Sequence, residues 1–192
     1  MQCVRYLLAD ARNIGIGNNI RFQLDLLYMP VEVGMRGEYK QFSEELYKQN
    51  NSPAINAVLQ YLSDIGLYGA LNEDKYGPDI VMYSGYRKIS YIEVERKRSW
   101  HTSTSDRNTD RLGFPFPTVQ LPERKGKFLR KRLPMEFWIL NSTLNCAIII
   151  PDYSISSSQL VEVPNSQLSS GELFYQIPIE LCIMKSLEVS DG

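Results

Sequence analysis

Apolar residues along this 192-residue chain recur with two periods, and the change from one to the other marks its organisation. Ile55, Val58, Leu59, Leu62 and Ile65 recur at helical intervals behind Ser52, a good N-cap, and Pro53, suited to a first helical position; Gly66 can close the end. This spacing predicts a helix over 52–66 that lays one face on a sheet. Before it, Tyr39, Phe42 and Leu46 predict a separate helical segment over 38–49, with Glu44, Glu45 and Lys48 on its other sides. Residues 1–37 carry apolar runs at 4–9 and 22–33 that suit short strands or a helix, broken by the turn-rich "NIGIGNN". They are read as an N-terminal appendage. Its "GIG" is a plain turn, since neither a Lys-Ser/Thr pair nor a strand-loop-helix pattern follows.

After the polar connection "LNEDKYG" the period shortens to two. Residues 79–83 predict a short strand, "SGYRK" a hairpin connection and 89–97 its partner. Ser99 to Gly113 reads as a polar loop. Residues 122–133 predict a basic helix weakened by Gly126, with Glu123 near its start and Arg130, Lys131 and Arg132 near its end, as the helix dipole favours. "MEFWILN" and "CAIII" predict two central strands, and the tail one or two β segments around a turn near Gly171. The expected fold class is α/β (α+β), a mixed β-sheet flanked by helices, in a domain of residues 38–192 with its core at 52–150 and a C-terminal β extension at 151–192.

With 43% hydrophobic and 22% charged residues, the composition is that of a globular chain. No run approaches the roughly eighteen apolar residues of a membrane span, and residues 1–10 lack the apolar centre of a secretory signal. The expectation is a cytoplasmic protein with no membrane partner. Cys3, Cys146 and Cys182 are odd in number and far apart, which suits a reducing compartment and neither a disulfide framework nor a zinc knuckle. His101 is the one histidine, so multi-histidine metal sites are excluded and any metal rests on carboxylates, hence a hard ion such as magnesium or manganese.

Charge is unevenly spread. Residues 86–132 hold thirteen Lys and Arg against five Asp and Glu, whereas the rest of the chain holds eight basic and seventeen acidic residues. Such a block is either a polyanion-binding face or a solvated charged loop. Within it, "YIEVERK" sets Glu93, Glu95 and Lys97 on one face of a strand and Ile92, Val94 and Arg96 on the other. Asp79 begins the adjoining strand and can face the same spot. Carboxylates brought together raise one another's pKa unless a cation holds them ionised, and a divalent metal is one resolution.

The stretch from Pro78-Asp79 through a hairpin to Glu93-Val94-Glu95 or Glu95-Arg96-Lys97 resembles the PD-(D/E)XK nuclease superfamily, and a helix before and a helix-then-strand pattern after agree with that family's α-β-β-β-α-β core. The resemblance spans about residues 52–150. Residues 114–128 and the "VEVPN" tail are also similar to nuclease-like proteins of bacteriophages. The resemblance implies a restriction-endonuclease-like core and Mg²⁺-dependent (or Mn²⁺-dependent) hydrolysis of nucleic-acid phosphodiesters, with DNA the expected substrate and homodimerisation compatible with the family. It implies a metal held by Asp79 and the first acid of the strand with a backbone carbonyl. In one register Glu93 is the ligand, Val94 supplies the carbonyl and Glu95 stands at the lysine position, with Lys97 assisting; in the other Glu95 is the ligand, Arg96 supplies the carbonyl and Lys97 is the lysine. The first is favoured. Many members add an acid from the first helix; the helix over 52–66 has no Glu, which leaves Glu44 or Glu45, and Gln120 is a further contact to test.

On the same reading Arg98, Arg124, Lys125, Lys127, Arg130 and Lys131 hold the nucleic-acid backbone, and Trp100, Phe114 and Phe116 are base-stacking or core-anchoring aromatics. The competing reading makes Glu93, Glu95 and Lys97 a solvent-facing sheet surface with cross-strand ion pairs, Asp79 an ordinary turn residue and the basic run a solvated helix face.

Overall fold

The computed structural model describes residues 44–102, 110–130, 134–165 and 168–188, all within the unit Tyr39–Gly192. The expectation for residues 1–37 therefore lies outside the described residues. The fold is α+β. Helix α1, Glu44–Asp64, is followed by β1 (Tyr68–Leu71), β2 (Ile80–Ser84), β3 (Arg87–Arg96), β4 (Thr118–Pro122), a 3₁₀ segment (Glu123–Arg130), β5 (Met135–Leu140), β6 (Cys146–Pro151) and a short α2 (Asp152–Ser156). Then come β7 (Gln159–Asn165), β8 (Leu168–Pro178), a 3₁₀ turn and β9 (Ile183–Ser186). A mixed sheet runs in the order β1-β2-β3-β5-β6-β9, and a second, three-stranded sheet in the order β4-β8-β7. β1, β2 and β3 form an antiparallel meander, and β5 then lies parallel to β3. Among the described residues no helix is long and apolar enough to cross a membrane.

Each face of the large sheet has its own core. On one, Ala54, Ile55, Val58, Tyr61 and Leu62 of α1 pack on Ile80, Met82, Ile92, Val94, Trp138, Leu140 and Ile149. On the other, Met135, Phe137, Ile139, Ile148 and Ile150 meet Val119, Leu121 and Ile177 of the small sheet, with Trp100, Phe114 and Phe128 filling the edge. Alternation along β3 sends Ile92 and Val94 to the first core and Tyr91 to the second. Burial of each large side chain contributes about 1.5–3 kcal/mol.

Several expectations change. α1 is continuous through Pro53, where a fresh start was expected. A proline disturbs only the turn before it, and the apolar stripe downstream packs regardless. The other end follows the sequence: Gly66 is left-handed (φ +75°), the amides of Gly66 and Leu67 donate to the carbonyls of Ser63 and Leu62, and the two leucines share one core.

β1 was hidden because "YGAL" holds little that marks a strand. Its Gly69 lies where a Cβ would come within 3.1 Å of Leu62 Cδ1 and 3.2 Å of Met82 Sδ, so α1 packs directly on the strand backbone. The β2–β3 hairpin turns at left-handed Gly85, with β3 starting at Arg87. The segment expected as a basic helix over 122–133 is instead a tighter 3₁₀ segment over Glu123–Arg130, preceded by β4, in which Val119 and Leu121 alternate inward. Gly171 is inside β8 rather than at a turn, left-handed at φ +70° and packed against Glu162 and the Val163 carbonyl.

Candidate functional site

The site begins with the connection between β1 and β2. The Asn72 side chain donates to the Pro78 carbonyl (2.8 Å), the Asn72 amide donates to the Asp79 carbonyl (2.9 Å), and Asp74 Oδ1 accepts from the Tyr76 amide. Gly77 lies so close that a Cβ there would meet Asn72 Nδ2 at 2.5 Å. What the sequence offers only as a polar connection is thus a hydrogen-bonded loop that delivers Asp79 to the start of β2.

Ile80 pairs with Ile92, which sets Asp79 across from Glu93. Asp79 Oδ2 accepts the Val94 amide at 2.8 Å. Because β2 begins only at Ile80, the backbone of Val94 lies beyond its end, and the aspartate takes the place of a strand partner. Glu93 is only 6% exposed. Its Oε1 accepts from Lys125 Nζ in a buried ion pair, and its Oε2 is buried with no hydrogen-bond partner. Burial pushes the Glu93 carboxyl up to about 7; Lys125 pulls it down, and the neighbouring Asp79 and Glu95 push it up again.

Asp79 and Glu93 are therefore brought together, and Glu95 is near enough to be felt. The three do not close on one point: among the described residues no group of three or more His, Cys, Asp or Glu side chains is arranged to hold a metal ion. The cation beside Glu93 is instead an ammonium. Lys125 had been expected on an outward basic helix face; a 3₁₀ repeat of three residues turns Lys125 inward with buried Pro122 and Phe128. Its side chain is 17% exposed. That three-residue spacing of Pro122, Lys125 and Phe128 was the available signal, and reading the run as an α-helix concealed it. Gly126, expected only to weaken a helix, lies where a Cβ would meet Tyr175 Oη at 2.5 Å, so the segment seats closely on β8.

Lys97 shares the face of Glu93 but sits four residues on, roughly 13 Å along the strand. Its Nζ lies 5.9 Å and 5.6 Å from the ring centroids of Phe114 and Phe116. On the opposite face, Arg96 donates through Nη2 to the Ser142 carbonyl, while its Nε is buried without a partner. Arg98, Arg124 and Lys127 are exposed; Arg124 pairs with Glu172 at 2.6 Å and Lys127 lies over the Phe128 ring. The Arg130 side chain, Lys131, and the side chains of Glu44 and Glu45 lie outside the described residues. Gln120 is exposed on β4, opposite Gln176. Trp100 and Phe114 are core residues, 0% and 2% exposed, and of the three aromatics only Phe116 offers its ring to solvent, at 47%.

Chemically, the arrangement is a pair of carboxylates at a strand end, one of them desolvated with an open oxygen, beside an ammonium. Such a site can bind a small hard cation or hold a proton. No protein-family model matches the chain, and a search of curated proteins finds no match.

Proposed function

We propose that the chain is a divalent-metal-dependent hydrolase of nucleic-acid phosphodiesters, DNA being the expected substrate, with Asp79, Glu93 and Lys125 at its centre. The observation that carries this reading is Glu93 Oε2, buried and unpartnered while Oε1 is engaged by Lys125 and Asp79 lies alongside. An unsatisfied buried carboxylate oxygen is costly and asks for a ligand. A helix followed by three antiparallel strands and a strand parallel to the third supports a restriction-endonuclease-like core. The crossover departs from that core, since β4 and the 3₁₀ segment stand where its second helix would be.

The donors suit magnesium better than calcium. Mg²⁺ characteristically takes one or two carboxylates, keeps several waters and completes its shell with substrate phosphates, so no cage of three acids is needed. Asp79, Glu93 through Oε2 and the Val94 carbonyl would hold it. The ion would supply an activated water and neutralise charge on the phosphate. Lys125, by its bond to Oε1, fixes the orientation of Glu93 and favours its ionised form. It takes the place expected of Lys97 or Glu95. The exposed Arg98 and Lys127 would track the backbone in a salt-dependent manner.

The test is cleavage of single-stranded and duplex DNA and RNA with Mg²⁺ or Mn²⁺. Asp79→Ala and Glu93→Gln should each lower the rate by about 10²-fold or more while circular dichroism stays unchanged. Equal cleavage in EDTA would overturn the proposal. A second reading, a non-catalytic nucleic-acid-binding or protein-interaction module on the same fold, is favoured by the closed Glu93–Lys125 pair. Binding that survives Asp79→Ala, with no cleavage under any metal, would select it.

A further inference from the structure

The face of β3 that carries the site continues past it. Glu93 is buried, Glu95 and Lys97 are half-buried, the strand ends at Arg96 between them and Arg98 is exposed, so the face rises from core to surface within a few residues. Where it surfaces, the chain returns as "GFPFP". Gly113 is left-handed (φ +73°), the Phe114 amide donates to the Arg111 carbonyl, and Phe114 is driven into the core edge-on to Trp100, with centroids 5.5 Å apart. Phe116 is held between Pro115 and Pro117, whose fixed φ angles stiffen the backbone on both sides. The Pro117 carbonyl is tied to the Ile179 amide, and the Phe116 ring meets Phe114 edge to face at 5.6 Å.

Phe116 is thus anchored beneath and on both sides and still 47% exposed, with the Lys97 ammonium 5.6 Å from its centroid. A large aromatic held rigidly at the surface loses little entropy when a flat ligand covers it. A cation over the same ring suits a ligand that is flat and anionic together, which is the description of a nucleotide, the ammonium passing from the ring to the phosphate as the base takes its place.

We propose that Phe116 and Lys97 form a nucleotide subsite for single-stranded nucleic acid, an unpaired base stacking on Phe116 while Lys97 contacts an adjacent phosphate. The inference deepens the hydrolase reading and rests on it for the ligand class. A base in a duplex has no free face to give Phe116, so unpaired strands are the ligand selected. Glu95, between this subsite and Glu93, repels phosphate and leaves Lys97 as the phosphate contact on this stretch of the face.

The experiment is anisotropy of a labelled oligothymidylate, its duplex and an abasic strand of equal length, in EDTA so that cleavage plays no part. The protein should bind the single strand more tightly than the other two. Phe116→Ala should weaken the single strand about 5- to 100-fold and the abasic strand hardly at all, and Phe116→Trp should retain the affinity. Lys97→Gln should lower the slope of log K against log salt by about 0.7. Equal binding of thymidylate and abasic strands by the unmodified protein, or unchanged affinity in Phe116→Ala, overturns the subsite. Cleavage with an unaltered KM in Phe116→Ala would remove the subsite and keep the hydrolase. Phe116-dependent binding with no cleavage in Mg²⁺ or Mn²⁺ would do the reverse.

Discussion

The two faces of β3 lie on one strand, and their residues alternate at a spacing of two, but they are built to different ends. Towards α1, Ile92 and Val94 meet Ile80, Leu62 and Trp138 in an apolar cluster, beside which the half-buried Glu136 accepts a hydrogen bond from Trp138 Nε1. Towards the small sheet, the position between them is Glu93, just as buried, facing Asp79 and held by Lys125. The first face gains stability from transfer of apolar surface out of water. The second spends some of that gain on desolvating a carboxylate, and a buried ion pair seldom exceeds what a hydrophobic pair of the same volume would give. This contrast is the physical basis of the functional proposal.

The sharpest way to break the contrast is to remove the cation. Lys125→Met leaves the Glu93 carboxylate buried and uncompensated and should cost about 3–5 kcal/mol at pH 8 in urea titrations. Lys97→Met, on the same face but further along, should cost less than about 1 kcal/mol. Glu93→Gln combined with Lys125→Met should recover most of the loss. If Lys125→Met is as mild as Lys97→Met, the pair does not hold the site together.

Next in size is the apolar face. Ile92→Ala should cost about 2–5 kcal/mol through lost burial and a cavity against α1, yet leave divalent-ion affinity of the folded protein unchanged. A loss of affinity as large as that in Glu93→Gln would mean that the faces are not separable.

The finest measurement is pH. Glu93 is raised from 4.5 to about 7, first by burial, and Glu136 is raised, again chiefly by burial, with Trp138 Nε1 lowering it and Asp152 raising it. The folded state then binds more protons than the unfolded state between these values. Their stabilisation of the metal-free protein is complete below about 4.5 and lost as pH rises through about 7 for Glu93. Urea midpoints should fall from pH 5 to pH 8, and Glu93→Gln should flatten that slope. An unchanged slope in the variant would assign it elsewhere.

Much of this architecture was legible from the residues. The C-terminal half of α1 with its Gly66 terminus, the β2–β3 hairpin and the two apolar strands β5 and β6 all rest on local periodicity, which a reader of the chain can count, whereas the start of α1 before Pro53 does not. The facing of Glu93 away from Ile92 and Val94 follows from the pleat alone. β1 was not legible, because its Gly-Ala centre carries no strand signature and its place is set by how closely α1 can approach. Nor was the ordering role of "LNEDKYG", whose hydrogen bonds exist only once the chain has doubled back from Leu71 to Asp79.

The sequence by itself determined that Glu93 would face away from Ile92 and Val94 on its strand, with Asp79 able to face the same spot, because spacing and alternation are properties of the chain. It also raised the question of a compensating positive charge, because carboxylates brought together raise one another's pKa. Which cation answers that question was decided only by tertiary structure. Lys125 is 32 residues from Glu93 along the chain, and it arrives because a 3₁₀ repeat and the seating of Gly126 under Tyr175 turn it inward. Lys97, closer in sequence, is carried off by the rise of the strand to the rings of Phe114 and Phe116.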